Sequence, residues 1–116
     1  KLDWIHDSVG NFLRSTQPKK YDVVEMVGLL DYFSDDKVVE TFRGIYSILE
    51  EGGVVITANI NHNSEEKFVD NVIDWKMIYR TAEELAHLVN QAGFGIEKMR
   101  IYYEPLMIHG MVVAKK

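Results

Sequence analysis

The chain has 116 residues, which fits a single domain over residues 1–116, because a domain typically takes ~100–200 residues. Apolar residues make up 47% of the chain and charged residues 27%, a balance typical of a globular protein rather than a disordered one. With 13 Lys and Arg against 18 Asp and Glu, the formal net charge is −5. This charge argues against a nucleic-acid partner, which needs a basic surface.

The sequence also argues against a membrane-spanning segment and against cysteine chemistry. No apolar run approaches the ~20 residues that span a bilayer, so we expect no membrane partner. The absence of cysteine excludes disulfides, thiolate metal sites and a cysteine nucleophile, and it fits a reducing, cytoplasmic compartment. The chain begins at Lys1 and enters an apolar run at once, so we expect it to be a piece of a longer protein.

The first part of the chain predicts a strand, a short helix and a second strand. Residues 2–5 are typical of the end of a strand. After a turn at Asp7 and Ser8, the apolar side chains of residues 9–13 have the spacing of one helix face. Tyr21–Met26 then predicts a strand.

The middle of the chain predicts a long helix and a buried strand. Ser34 is a suitable N-cap, and the apolar side chains of residues 38–49 lie on one helical face. Gly52 and Gly53 predict the end of this helix, because glycine adopts the left-handed conformation without strain. Residues 54–58 are apolar and mostly β-branched, which predicts a strand covered on both faces.

Two further helices are predicted. Ser64 is expected to cap a helix that carries the apolar side chains of residues 68–73. Thr81 and Glu84 match a capping box at the start of the next helix. That helix is expected to end at Gly93.

The order of these elements predicts the fold class. Residues 96–103 and 107–114 predict two closing strands, separated by too few residues for a helical crossover. One of them must therefore run antiparallel, whereas the helical crossovers earlier in the chain imply parallel strands. The sequence predicts an α/β fold whose mixed sheet has parallel strands and a C-terminal antiparallel hairpin.

The glycine pattern lacks a nucleotide-binding motif. A dinucleotide fingerprint places G-x-G-x-x-G between a strand and a helix. Gly93-Phe94-Gly95 instead follows a helix, and Lys98 stands where the third glycine belongs. This segment predicts a helix end and a tight turn.

Side chains that follow the predicted parallel strands are candidates for ligand binding, because ligands in open α/β sheets bind beyond the carboxyl ends of strands. Met26, Val27 and Gly28 end one such strand. Asn59 ends the next, and His62 lies in the loop after it. The alternative for each is ordinary loop chemistry. The histidines lack the spacing of a zinc site, so no metal is expected.

Two other groups have two interpretations each. Asp7 and Ser8 either bind an amino group or cap the helix that follows them. Trp75, Tyr79 and Arg80 either present aromatic planes and a guanidinium to a flat or anionic ligand, or form a helix-packing tryptophan beside a surface arginine.

Four segments together resemble the C-terminal half of the class I S-adenosylmethionine-dependent methyltransferases. They are "YDVVEMVGLLDYF", "ILEEGGVVITANI", "WKMIYRTAEELAHLVNQAGF" and "IYYEPLMIHGMVVAKK". In that family, a Gly-Gly turn precedes the fifth strand, and a helix ending in "AGF" precedes a closing hairpin. The resemblance implies a partial Rossmann-like methyltransferase sheet.

The resemblance implies a cofactor, S-adenosylmethionine, and positions around it. Asp7 and Ser8 would flank the adenine. Met26, Val27 and Gly28 would line the cofactor near its sulfonium.

The resemblance also implies an acceptor side. Asn59 and the segment with Trp75, Tyr79 and Arg80 would face the small-molecule substrate, and His62 joins them through its place after a strand. The catalytic residue is unknown, because methyl transfer from a sulfonium needs mainly positioning and desolvation and leaves no signature of a base.

The family's glycine-rich loop and acidic ribose-binding residue have no counterpart here. We therefore expect the parent protein to methylate a small molecule, and this fragment alone to be inactive and to bind the cofactor weakly or not at all. A non-catalytic α/β interaction module is the alternative, and a nicotinamide oxidoreductase is a weaker one. Without its neighbouring strand, Tyr21–Met26 would expose an edge, so we expect self-association or pairing with the missing N-terminal half.

Overall fold

The computed structural model describes residues 2–15 and 19–116, and within these ranges it has one sheet of four strands. They are β1 (Tyr21–Met26), β2 (Leu49–Ile60), β3 (Met99–Tyr103) and β4 (His109–Lys115). The order across the sheet is β1-β2-β4-β3. Strand β1 runs parallel to β2, whereas β4 is antiparallel to both of its neighbours. The predicted α/β class with a C-terminal antiparallel hairpin is confirmed.

One helix precedes the sheet, and the others lie between its strands. They are α1 (Val9–Arg14), α2 (Asp35–Ile48), α3 (Glu66–Phe68) and α4 (Ala82–Gln91). Helix α3 continues directly into a π-helical turn over Val69–Ile73. None of the helices in the described ranges is long and apolar enough to cross a membrane.

Two predicted helix caps are confirmed. The hydroxyl of Ser34 accepts a hydrogen bond from the backbone N–H of Lys37 at the start of α2. At the start of α4, Thr81 Oγ1 accepts from the Glu84 N–H at 3.1 Å, and Glu84 Oε2 accepts from the Thr81 N–H at 2.8 Å. This capping box fixes where the chain enters α4.

The core lies between one face of the sheet and helices α2 and α4. Phe42 of α2 meets Phe94 edge to face, with ring centroids 6.4 Å apart. Val55 and Val112 lie fully buried beneath them on neighbouring strands. Each such side chain contributes about 1.5–3 kcal/mol on burial. On the opposite face Ala58 is buried and Ile56 is half-buried, so the prediction of a strand covered on both faces is confirmed only in part.

Helix α2 ends at Ile48, four residues before the predicted glycine stop. Leu49 is already extended and pairs with Tyr21, because the sheet begins at this point. The two glycines lie inside β2 instead, next to an irregularity in its pairing with β1. Gly52 has a φ of +78°, and a Cβ at Gly53 would lie 3.1 Å from the carbonyl oxygen of Tyr21.

The predicted first strand is wrong. Residues 2–6 form neither helix nor strand, and the Trp4 and Ile5 side chains are exposed. An extended segment forms a strand only beside another strand that can accept its backbone hydrogen bonds. Within the described residues, none pairs with this segment.

Two other boundaries differ from the prediction. Ser64 does not cap α3; the side chain of Asn63 accepts from the Glu65 N–H instead, at 2.9 Å. The π-helical turn ends at Asp74, whose φ is +56°. Ile96–Lys98 is a 3₁₀ turn, so β3 begins only at Met99.

Glu104 holds the turn of the C-terminal hairpin. Its carboxylate accepts the backbone N–H groups of Leu106, Ile108 and His109. These hydrogen bonds, that of Leu106 foremost, hold the pKa of Glu104 below its ordinary value. Met107 turns with a φ of +59°, and β4 therefore begins at His109 rather than at 107.

Gly110 allows α4 to approach the sheet closely, which gives a first prediction. A Cβ at Gly110 would lie 2.7 Å from the Cβ of Ala82 and 2.8 Å from its backbone nitrogen. Gly110→Ala should therefore lower the free energy of unfolding in urea by about 1–3 kcal/mol, the range for overpacking. Gly95→Ala is the control, because a Cβ there would meet the flexible side chain of Glu97. Equal losses in the two variants would contradict the close contact.

Candidate functional site

An open groove of about 440 Å³ lies between β1 and the N-terminal segment; we name it the β1 groove. Strand β1 is at the edge of the sheet, so in the described residues no further strand separates it from this groove. Its lining is mainly apolar and comes from the N-terminal segment, α1, β1 and α2. Three of the five predicted cofactor residues line it, namely Asp7, Ser8 and Met26.

Ser8 caps helix α1, and Asp7 precedes it and supports the first turn. Ser8 Oγ accepts from the Asn11 N–H at 3.1 Å. Asp7 Oδ1 accepts from the Ser8 N–H at 2.7 Å and from Asn11 Nδ2 at 3.0 Å. The capping interpretation is therefore confirmed for Ser8, whereas Asp7 bonds to the cap residue and to the Asn11 side chain. Asp7 Oδ2 makes no hydrogen bond within the described residues, so one carboxylate oxygen in the groove can still accept an amino group.

Met26, Val27 and Gly28 separate at the end of β1. Met26 is buried, and its carbonyl accepts from Thr57 Oγ1 at 2.8 Å, which ties β1 to β2. Val27 and Gly28 lie outside the β1 groove, in the loop that follows. Gly28 has a φ of +78°, a conformation that favours glycine. The structure thus brings Met26 to Asp7 and Ser8, but not its two neighbours.

Arg80 lies at the carboxyl end of β2 and is 4% exposed. All five N–H groups of its guanidinium are used. Nε and Nη2 donate to Asp35 Oδ1 at 2.9 and 2.7 Å. Nη2 also donates to the Phe33 carbonyl, and Nη1 donates to the Leu30 carbonyl and to Asn59 Oδ1. Arg80 is therefore not the surface cation of the second interpretation, and its donors are occupied within the chain.

Asn59 is the partner of Arg80 at the end of β2, and it is 1% exposed. Its Nδ2 donates to the carbonyls of Ile60 and Ile78. Both polar atoms of this amide are thus satisfied inside the chain. We expected Asn59 and Arg80 to face an acceptor; the structure instead buries both side chains and satisfies their polar atoms within the chain.

Asp31 also belongs to this hydrogen-bond network, although the sequence did not indicate it. It is 8% exposed, and its Oδ1 accepts from the Ile60 N–H at 2.7 Å. Its carbonyl accepts from the Ile78 N–H at 2.7 Å. Asp31 therefore joins the loop after β1 to the end of β2 and to residues 74–80. No local pattern marks this role, since its partners are 29 and 47 residues away along the chain.

His62 and Tyr79 form an aromatic pair above this network. Their ring centroids are 5.9 Å apart, and the planes are inclined by 25°. His62 Nδ1 lies 3.1 Å from Glu66 Oε2. The Tyr79 hydroxyl oxygen is buried and has no hydrogen-bond partner among the described residues. Burial, and then the nearby charge of Asp70 ahead of Glu66 and Asp31, raise the pKa of Tyr79, so the phenol stays protonated at neutral pH.

Trp75 lies apart from that pair. It belongs to the extended connection of residues 74–80, so the helix-packing interpretation is wrong. Its indole N–H donates to the Tyr32 hydroxyl at 2.9 Å, and the residue is 53% exposed. Tyr79 and Arg80 also border a second cleft of about 510 Å³, whose other polar walls are mainly acidic. Within the described residues, no group of three or more His, Cys, Asp or Glu could hold a metal.

The saturation of Arg80 gives a second prediction. Arg80→Lys keeps the charge but cannot supply five N–H donors in a planar fork. At least one buried acceptor then loses its partner, so the free energy of unfolding should fall by about 1–3 kcal/mol in a urea titration. Arg43→Lys, on the exposed face of α2, is the control and should change stability by less than ~0.5 kcal/mol. An Arg80→Lys variant as stable as the control would mean that the network contributes nothing.

Comparison with solved structures finds the same fold. A possible exported protein from Bordetella parapertussis matches with a TM-score of 0.77 at 17% identity, over 95% of this chain and 42% of that one. A "putative O-methyltransferase" from Nostoc punctiforme matches with a TM-score of 0.71 at 20% identity. The match covers 97% of this chain and 36% of that one. Human N-acetylserotonin methyltransferase, solved with S-adenosylmethionine, matches with a TM-score of 0.71 at 17% identity. The match covers 90% of this chain and 32% of that one. This chain thus spans about a third to two fifths of their length.

These identities show the fold alone, which is a partial methyltransferase fold. No curated protein matches the chain. The family model described as "Putative methyltransferase" matches residues 9–116, which is nearly the whole chain. The sheet order with its antiparallel β4 agrees with this match. The chain belongs to that methyltransferase family.

Proposed function

We propose that this chain is part of an S-adenosylmethionine-dependent methyltransferase that acts on a small-molecule acceptor. The observation that carries the proposal is the β1 groove. Asp7 and Ser8 are far from Met26 in sequence, and the three converge on one mainly apolar groove at the edge of the sheet. The solved relatives include methyltransferases bound to S-adenosylmethionine or S-adenosylhomocysteine.

The groove fits the adenosine part of such a cofactor. An adenine ring needs apolar walls and an acceptor for its amino group. Phe12 and Met26 supply walls, and the second oxygen of Asp7 supplies an acceptor. The amino-acid part has no counterpart, because the chain contains no G-x-G-x-x-G loop. When bound, the cofactor supplies the methyl group; this chain holds its adenosine end and borders the acceptor.

The first test is binding of S-adenosylhomocysteine to the chain alone. With half of the pocket missing, we expect a dissociation constant no tighter than about 100 μM, or about −5.5 kcal/mol. Amide shifts in NMR should concentrate at Ser8, Phe12 and Met26, and adenosine alone should reproduce them. Asp7→Asn should weaken binding at least threefold, because an amide presents one acceptor atom where a carboxylate presents two.

The control for this titration is Asp36→Asn, an exposed aspartate in the first turn of α2. It should bind as the wild type does. A micromolar constant would contradict the incomplete pocket. Shifts confined to the second cleft would contradict the assignment of the β1 groove.

The free edge of β1 favours a second candidate, a non-catalytic interaction module. Val23 is 59% exposed at this edge, and Trp4 and Ile5 near the groove are also exposed. An unpaired edge is a template for another strand. In a longer protein we propose that the N-terminal half pairs with this edge, and in the isolated chain that a second copy does.

Light scattering after size exclusion tests the free edge. At micromolar concentration, the wild-type chain should give a mass above the 13.4 kDa of one copy. Val23→Lys places a charge on the edge strand and should return the chain to a monomer. Val72→Lys, at an exposed valine on the π-helical turn, is the control and should leave the mass unchanged. A sharp wild-type monomer peak would contradict an available edge.

A further inference from the structure

One face of the sheet is only partly covered by the described residues. Val55 and Val112 point into the core beneath α2 and α4. Side chains alternate along a strand, so the neighbours of these two valines point to the opposite face, which we name the open face. Its centre consists of four half-buried apolar side chains, namely Val54, Ile56, Met111 and Val113. Toward its two sides, Val23 and Tyr102 are 59% and 53% exposed.

The strand register places opposite charges at the two ends of one row across the open face. Glu25 of β1 pairs with Ile56, and Ile56 pairs with Val113. Arg100 of β3 completes the row beside Val113. Three gaps of ~4.8 Å between the strands separate the two charged ends by about 14 Å, too far for an ion pair within one chain. Within the described residues Glu25 has no charged partner, and Arg100 donates only to the Met99 carbonyl.

This charge pattern is self-complementary under one two-fold rotation. Aligned sheets pack ~10 Å apart with their strand directions within ~30° of each other. A two-fold axis parallel to the strands, between β2 and β4, turns a second copy so that its β3 lies over β1. Glu25 of each copy then meets Arg100 of the other, and Ile56 lies over Val113. An axis along the row would instead place like charges opposite each other, which is unfavourable.

We propose that the open face docks a second copy of this chain, face to face, with Glu25 of each copy paired to Arg100 of the other. Lys115, which pairs with Val54 in the next row, is exposed and adds positive charge to the same half of the face as Arg100. This inference goes beyond the proposed function and needs no cofactor. The contact also differs from pairing at the β1 edge, because it uses side chains rather than backbone groups.

The size of the open face determines how strong this contact is. From Val54 to Ile60 the face extends ~20 Å along β2, and with its width of ~14 Å it covers roughly 300 Å² per copy. A standard interface buries ~800 Å² per partner. We therefore expect a weak contact with a dissociation constant near ~1 mM, which forms only above the micromolar range.

Isotope-filtered NMR tests the contact, because nuclear Overhauser effects between ¹³C-labelled and unlabelled chains arise only between copies. At about 1 mM chain, where such a contact is populated, the methyl groups of Ile56 should show these effects to Val113 of the other copy. Pairing at the β1 edge would not produce them, since β2 and β4 lie inside the sheet. Glu25→Arg and Arg100→Glu should each abolish them. An equimolar mixture of the two variants, one labelled, should restore them, because each new charge meets its opposite.

Arg43→Glu, on the exposed face of α2, is the matched control and should keep the intermolecular effects of the wild type. The restored contact in the mixture would also show that both variants are folded. Absence of an Ile56–Val113 contact in the wild type would overturn the proposal in favour of another occupant of the face, such as an amphipathic helix. Contacts that persist or strengthen in the single reversals, or that fail to return in the mixture, would overturn the charge pairing and the axis with it.

Discussion

The arrangement of this chain depends on one buried positive charge. The Arg80 guanidinium donates to acceptors from the loop after β1, the start of α2 and the end of β2. A buried charge that loses a partner costs several kcal/mol, so these segments keep their relative positions together. Asp35 provides the balancing charge, and the carbonyls and Asn59 satisfy the remaining donors. The carboxyl ends of β1 and β2 thus become one rigid platform.

This platform separates two regions with different chemistry. On one side, the β1 groove is apolar apart from a few acidic groups and has an open edge of backbone beside it. On the other, His62 and Tyr79 rest on the platform among the carboxylates of Glu66 and Asp70. The Arg80 charge is consumed inside the chain, so the surface around His62 and Tyr79 offers an anion little attraction. For the function that we propose, an uncharged or cationic acceptor would suit this surface better.

Local sequence signals were sufficient for most of the elements, though not for the predicted first strand, and they did not fix the ends of the elements or the site. Helical spacing and caps identified α2 and α4, because burial of one face and the N-cap are local properties. The end of α2 depends on Tyr21, because the strand of this distant residue pairs with Leu49. Placement after parallel strands correctly brought Met26 to the groove. It could not show that Arg80 turns inward, since its partners lie 21 to 50 residues away.

The two tryptophans of the chain have different surroundings. Trp4 belongs to the segment that borders the β1 groove and is 89% exposed, whereas the indole of Trp75 is hydrogen-bonded to Tyr32. We therefore expect their fluorescence emission to differ. The emission of Trp4 should be red-shifted and readily quenched, and that of Trp75 should be more shielded from quenchers. Replacing either by phenylalanine leaves a single emitter. The protein thus carries two intrinsic emitters, one in the N-terminal segment and one in the connection before α4, whose surroundings can be followed separately without an added dye.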